Sequence, residues 1–466
     1  RLGVPVFMAD VKGDLSGLGQ AGQASPKLME RLSRLGYPQP AFEGLPVTFW
    51  DVLGREGLSA RATISEMGPL LLARLLGLNE VQTGVLNVLF RVADEEGLLL
   101  LDLKDLQAML AYGGEHAREW TTRYGAIATA SIGAIQRSLL ALDVAGGTGL
   151  FGEPALEIND LLGRDDQGRG MVHLLDARHL VGTPALYSTF LLYVLSELFE
   201  QLPERGDQPL PRLIFFFVEA HLLFRNVPAA LMDKIEQVVR LIRSKGVGVY
   251  FVTQHPADIP DPVLAQLGHR IQHGLRAYTP KEQKALRSAA DSFRANPAVD
   301  TLSALQELAV GEALVSVLDA QGRPSPVERI FMVPPASRIG PMDDPLRRSL
   351  ITQSPLHERY GRSEDPVSAY EMLRDRAERK MAQASPPPAS VPEEDETPPR
   401  SHTVSGGRDV ARTSSSERVV VTRKAPPPRS TLGEQVIRSV ARSAGTSLGR
   451  HLVRGLLGVL LGGKNR

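Results

Sequence analysis

The 466-residue chain carries 53 Lys plus Arg against 53 Asp plus Glu, a formal net charge of zero, and no cysteine. Overall charge therefore gives no case for a polyanion-binding protein, although a local basic groove would not register in it, and the missing thiols exclude disulfides and thiolate metal sites and favour a cytoplasmic setting. With 42 % hydrophobic residues the chain has apolar material for two or three domains, and its longest late apolar run, Leu456 to Leu461, is far short of the roughly 20 residues of a membrane helix.

The first predicted element is a strand, Val4-Pro5-Val6-Phe7-Met8-Ala9-Asp10. The sequence starts at Arg1, close ahead of this core strand, so further residues of the domain are expected to precede it. A polar, Gly-rich turn follows, Asp10-Val11-Lys12-Gly13-Asp14-Leu15-Ser16-Gly17. It either sets Asp10 or Asp14 beside a bound nucleotide or is a surface loop chosen for turn geometry.

From Pro46-Val47-Thr48-Phe49-Trp50 onward the pattern turns helical: Ile64 to Leu78, Val81 to Asp94, Leu103 to Tyr112 and Tyr124 to Leu142 carry apolar residues at three- and four-residue spacing. Thr63 and Glu66 fit a capping box. These stretches predict a helical insertion over about residues 53–163, its stripes serving as core. Strand and helix then alternate: Gly170 to Asp176, a helix over Pro184 to Gln201, the run from Leu213, a helix over Ala229 to Ser244, the strand Val247 to Gln254 and a short one near Arg270 to Leu275. Such repetition predicts a three-layer α/β fold with a mainly parallel, doubly wound sheet.

A two-stranded unit, Ala313 to Leu318 and Val327 to Met332, joined by Asp319-Ala320-Gln321-Gly322-Arg323-Pro324, is expected to close that sheet, ending a core domain over 1–335. A helical extension over 336–384 follows, with a charged helix from Ser363 to Ala384. The Pro-, Ser-, Glu- and Arg-dominated stretch 385–430 predicts a disordered linker. The tail 431–466 places Val436, Val440, Ala444, Leu448, Leu452, Leu456 and Leu460 at four-residue steps with Arg438, Arg442, Arg450 and Arg454 between them. That is a basic amphipathic helix, for a protein partner in the preferred reading and for an acidic membrane or nucleic acid in the rival one.

The chemistry-bearing stretch is Leu213-Ile214-Phe215-Phe216-Phe217-Val218-Glu219, six consecutive apolar residues ended by a carboxylate. It reads as a strand buried on both faces, and its charged carboxyl end lies where open α/β sheets bind ligands. In P-loop nucleoside triphosphatases this position reads Asp-Glu, the Asp holding the magnesium shell and the Glu orienting the attacking water. Here Glu219 is present while Val218, which cannot accept from a metal's water, stands at the Asp position. A buried strand capped by an exposed Glu is the plain alternative.

Gln254, at the tip of a strand one strand-helix unit away, either senses a terminal phosphate or begins an ordinary loop, and its pairing with Glu219 favours the former. Arg240, Arg243 and Lys245 crowd the end of the intervening helix, where they suit the helix dipole or reach a neighbouring subunit's nucleotide; Arg276 is a further candidate for that reach. His221 lacks a second ligand at useful spacing, which leaves no metal site other than one for magnesium. The phosphate-cradling pattern Gly-x-x-x-x-Gly-Lys-Ser/Thr finds only Gly458 to Asn465, where Asn465 replaces the hydroxyl, a coincidence. The phosphate loop is expected ahead of Arg1.

Asp10 to Leu15, Phe215 to Phe224, Arg243 to Gln254 and Asp258-Ile259-Pro260-Asp261 together resemble the HerA-like, YjgR-type bacterial ATPases over about residues 3–375, and more distantly the HerA–FtsK class of hexameric DNA pumps. The resemblance implies a RecA-like core, ATP and Mg2+ as cofactors, a homo-oligomeric, hexameric ring with nucleotide between subunits, and a DNA translocase or helicase-type motor. With the strand-end and turn patterns above, Glu219, Gln254 and Arg243 are the candidate catalytic residues and Asp10, Asp14 and Gln254 the candidate nucleotide-binding ones. The resemblance also implies a phosphate loop ending in Gly-Lys-Thr, absent from these residues, and Asp in place of Val218. A non-catalytic, ATPase-like ring or scaffold subunit that binds protein partners is the other reading.

Overall fold

The computed structural model describes residues 1–384 except Ala126, Val181, Asp207 and Asn226. The linker and tail expected over 385–466 lie outside the described residues. The chain divides into two units, Arg1–Tyr370 and Glu371–Arg466, and every strand belongs to the first.

Six strands make the main sheet: β1 (Val6–Asp10), β2 (Val47–Asp51), β3 (Leu58–Ser59), β4 (Val172–Asp176), β5 (Leu213–Val218) and β6 (Val247–Val252). Their order is β3-β2-β4-β1-β5-β6, and every neighbouring pair is parallel. The expected parallel α/β architecture is therefore the observed one, with β1 and β5 side by side. Phe7, Phe215 and Phe217 are fully buried, with ring centroids 4.9 Å apart for the first pair and 4.6 Å for the second.

After α1 (Pro26–Leu35), the helical insertion comprises α2 (Ile64–Leu75), α3 (Glu80–Glu96), α4 (Leu103–Glu115), α5 (Ala117–Tyr124) and α6 (Thr129–Val144). Thr63 caps α2 with Glu66 in the reciprocal box that the sequence predicts, and Gly68, at φ 70°, kinks the helix before Pro69. The alternation resumes with α7 (Pro184–Gln201), buried from Leu186 to Leu195, and α8 (Ala229–Leu241), followed by the short α9 (Asp261–Leu264).

The later strands correct one expectation. β7 (Arg270–Gln272), β8 (Glu312–Ser316) and β9 (Glu328–Phe331) form a separate antiparallel sheet in the order β7-β8-β9, so they do not close the main one. They pack with α10 (Pro280–Asp291) and α11 (Thr301–Glu307) around Leu286, Leu305, Leu308, Leu314 and Val327. The physical reason is that a hairpin loop fixes the pairing of its two strands and says nothing of which sheet they join.

The segment after the hairpin is built into the first unit as far as Tyr370. The Arg338 amide donates to the Gln20 carbonyl at 2.9 Å, and the Met342 amide to Ser16 Oγ at 2.8 Å. Beyond α12 (Asp344–Gln353) and α13 (His357–Tyr360), fully buried Tyr360 meets Trp50 edge to face at 4.9 Å and donates to Asp160 at 2.5 Å. The charged helix predicted from Ser363 begins at Ala369, as α14 (Ala369–Ala384). Among the described residues no single helix is long and apolar enough to cross a membrane.

Candidate functional site at the carboxyl edge of the sheet

Parallel pairing brings strand ends together. Asp10 pairs with Asp176 in register, and Asp51 follows Trp50, the partner of Leu175, so three aspartates end adjacent strands β1, β4 and β2. Met8 pairs with Phe216, and Val218 and Asp10 each lie two residues further on, which puts Val218 in the same row. Val218 in turn pairs with Val252 at the end of β6. Neighbours in one row of a sheet share a face, so a carboxylate at 218 would stand beside Asp10.

Each aspartate of the row is already engaged. Asp51 accepts from the amides of Leu53, Arg55 and Glu56 at 2.7, 2.7 and 2.8 Å. Asp10 accepts from the amides of Gly13 at 2.7 Å and Leu15 at 3.1 Å, clasping its own turn. Burial holds the Asp10 carboxyl above its usual range, and those two amides offset it only in part. Burial pushes Asp176 the same way, but hydrogen bonds from Arg178 and Arg347, at 2.5 and 2.7 Å, outweigh it and hold this carboxyl low. Gly13 needs to be glycine: its φ is 80°, and a Cβ there would sit 2.6 Å from Arg178 Cδ. Asp14 is exposed on the same turn.

Glu219 follows β5 with φ 51° and ψ 49°, and it is the one non-glycine residue at positive φ among the described residues. Its side chain is 19 % exposed, and Oε2 is buried without a hydrogen bond, 3.3 Å from His221 Nδ1. Strain and an unsatisfied buried carboxylate oxygen are uncommon in a packed fold and concentrate where a group has work to do. Tyr187 of α7 donates to the Val218 carbonyl at 2.5 Å. Burial, reinforced by nearby Glu219, pushes the Tyr187 phenol above its ordinary range, so it stays a donor.

Gln254 stands exposed just past β6, on the strand next to that of Glu219 and at the same edge. Its loop is set by Asp258, which accepts from Thr253 Oγ1 at 2.7 Å and from the His255 amide at 3.3 Å. The structure thus brings Glu219, Gln254, Asp10 and Asp14 to one rim of the sheet.

It does not bring Arg243 there. Arg243 lies in the turn Ile242–Lys245 immediately before β6, at the amino edge of a six-residue strand and so about 20 Å from the Gln254 end. Lys245 shares that edge, 3.9 Å from Glu204 and 5.4 Å from the Phe199 ring centroid. Arg276 donates to the Gln306 and Leu308 carbonyls at the end of α11. Arg243 therefore does not reach the Glu219–Gln254 edge of its own sheet.

Two contributors escape a reading by sequence. Arg74, from α2, reaches the loop after Glu219, donating to the Leu223 carbonyl at 2.8 Å, and Tyr187 grips the residue before it. The available signal is a polar group inside an apolar stripe, as in Leu71-Leu72-Ala73-Arg74-Leu75-Leu76.

A magnesium-bound triphosphate does not fit the donor set found here. Glu219 and Gln254 are in place, but position 218 is aliphatic, Asp10, Asp51 and Asp176 are committed to loops and arginines, and residues 1–466 hold no Gly-x-x-x-x-Gly-Lys-Ser/Thr. Among the described residues no group of three His, Cys, Asp or Glu is arranged to hold a metal ion.

A parallel sheet whose carboxyl edge presents a strained glutamate beside a strand-end glutamine defines an α/β protein of the kind that binds ligands at that edge. The family described as Helicase HerA-like C-terminal matches residues 1–466, and the chain belongs to it. No curated protein matches the chain. Among solved structures it is similar to the bacterial conjugative coupling protein TrwBdeltaN70, at 11 % identity and TM-score 0.40 over 72 % of this chain and 88 % of that one. The plasmid coupling protein TrwB in complex with ADP and Mg2+ gives 12 % and 0.39 over 72 % and 89 %. VirB4 of Thermoanaerobacter pseudethanolicus gives 14 % and 0.42 over 74 % and 84 %. Likeness of that degree says nothing of this chain's ligands or partners.

Proposed function

We propose that the chain is a subunit of an ATP-driven motor acting on DNA, assembled as a ring, with Glu219 orienting the attacking water and Gln254 sensing the terminal phosphate. The observation that carries this reading is the left-handed, incompletely satisfied Glu219 one strand away from Gln254 at the carboxyl edge. Asp10 acts as the clasp of its turn, and Asp14 is the residue of that turn with its carboxylate open to a ligand. Arg243 acts across a subunit boundary. A phosphate loop, whose pattern residues 1–466 lack, would need a strand of its own, and among the described strands β6 pairs only with β5, which leaves its outer edge open. Family membership supports the motor reading.

Val218 specifically favours a second reading, a non-catalytic ring member that binds partners. DNA-stimulated ATP hydrolysis decides between the two. It is measured on the protein together with any residues encoded upstream of Arg1 (the extended protein), as Val218 and as Val218→Asp. Hydrolysis by the Asp form alone identifies a motor site silenced at one position, and hydrolysis by neither leaves the non-catalytic reading standing.

A further inference from the structure

Two buried side chains grip the backbone on either side of Glu219, and they come from different parts of the fold. Tyr187, on α7, holds the carbonyl of Val218, and Arg74, on the first helix of the insertion, holds that of Leu223. The same guanidinium nitrogen donates to Ser188 Oγ at 3.0 Å, while Nη1 is buried with no partner. Burial alone, with no acidic neighbour to offset it, lowers the Arg74 pKa to about 10. An unpaired guanidinium withdrawn from water is costly, and leucines serve the neighbouring packing positions 71, 72 and 75. A role in packing does not account for an arginine here.

Between the two grips lie Glu219 and the single turn Ala220–Leu222, closed by the Leu222 and Leu223 amides donating to the carbonyls of Glu219 and Ala220 at 2.9 and 3.0 Å. A left-handed backbone is unfavourable for a residue with a Cβ and persists only where its flanks over-determine it. We infer that Arg74 is a positioning residue for Glu219, by which the helical insertion holds the carboxylate in its left-handed conformation, with Tyr187 as the second hold. Tyr193 of α7 donates to Glu66 of α2 at 3.1 Å, so the same two helices are fastened at a second point. The chemical meaning of the hold rests on the proposed role of Glu219, whereas the hold itself does not.

The test pairs two readouts. Amide exchange is followed in the 466-residue protein for the wild type, Arg74→Met, Arg74→Lys and Tyr187→Phe, and ATP hydrolysis in the extended Val218→Asp form with and without Arg74→Met. Arg74→Met is expected to raise exchange over residues 219–224 by roughly tenfold or more, with β5 and α7 nearly unchanged. Arg74→Lys, which keeps a donor, recovers most of the protection, and Tyr187→Phe raises exchange in the same segment. In the hydrolysing form Arg74→Met lowers kcat at unchanged KM. Exchange that rises equally throughout the unit, or stays flat over 219–224, overturns the inference. Local exchange as expected with kcat unaltered keeps the hold and removes the role proposed for Glu219, and failure of every extended form to hydrolyse ATP counts against the motor reading alone.

Discussion

Val218 decides what the carboxyl edge can do. A carboxylate at this position would share a face and a row with Asp10 and lie near Asp176, a like-charge row whose arginines, Arg178 and Arg347, are bound to Asp176. Because Arg178 and Arg347 are already engaged by Asp176, Val218→Asp is expected to lower stability by about 1–3 kcal/mol in chelator, read by thermal unfolding, and magnesium should restore part of the loss. An equal loss with and without magnesium would show that the edge does not address a cation. His173 offers a second test. Trp50 Nε1 donates to its Nδ1 at 3.0 Å, and full burial drives its pKa down to about 3. The native ring stays neutral while the unfolded one takes a proton below about pH 6.5, so this contribution is intact above that pH and is lost as the pH falls toward 3. At pH 5 the loss amounts to about 2 kcal/mol relative to pH 7.5, measured as the difference in urea unfolding between wild type and His173→Gln.

At the scale of elements, one buried carboxylate helps fasten the segment 365–370 to the insertion, beside the Ala369 amide on the Leu99 carbonyl at 2.9 Å and the Lys104–Asp365 pair at 2.6 Å. Asp105 accepts from the amides of Leu101, Asp102 and Tyr370 and from Ser368 Oγ, at 2.8, 3.1, 2.9 and 2.5 Å. Asp105→Ala removes a shared acceptor from four donors and is expected to cost on the order of 3 kcal/mol, with exchange rising first at 368–370. A loss under 1 kcal/mol would show the fastening to be redundant. Such a contact, 265 residues apart, leaves no local trace in a sequence. By contrast β5, the bounds of α7 and the Thr63–Glu66 box were legible, because apolar run length, helical period and cap chemistry are local properties. The placement of Arg243 was legible in principle: a helix end that feeds a parallel strand lies at the amino edge, opposite any residue at that strand's tip. The sheet joined by β8 and β9 was not, since pairing partners outside a hairpin depend on tertiary packing. Glu219 and Gln254 stood out as candidates because a polar residue ending an apolar strand is visible from sequence alone, while Arg74 and Tyr187 donate to backbone carbonyls of another element.

For the molecule as a whole, both halves of a magnesium-nucleotide site are compromised within residues 1–466, one by Val218 and the other by the missing phosphate-cradling pattern. This chain is expected to show no ATP turnover and at best weak nucleotide binding. Micromolar or tighter binding of magnesium-ATP by calorimetry would show a more complete site than the described residues provide. The central claim is that Glu219 is the reacting carboxylate, and its most direct test is steady-state ATP hydrolysis by the extended Val218→Asp protein with and without Glu219→Gln. Removing the charge while keeping the shape is predicted to lower kcat by about 100-fold or more, with KM changed less than about threefold. A Glu219→Gln protein that hydrolyses ATP near the parental rate would contradict it.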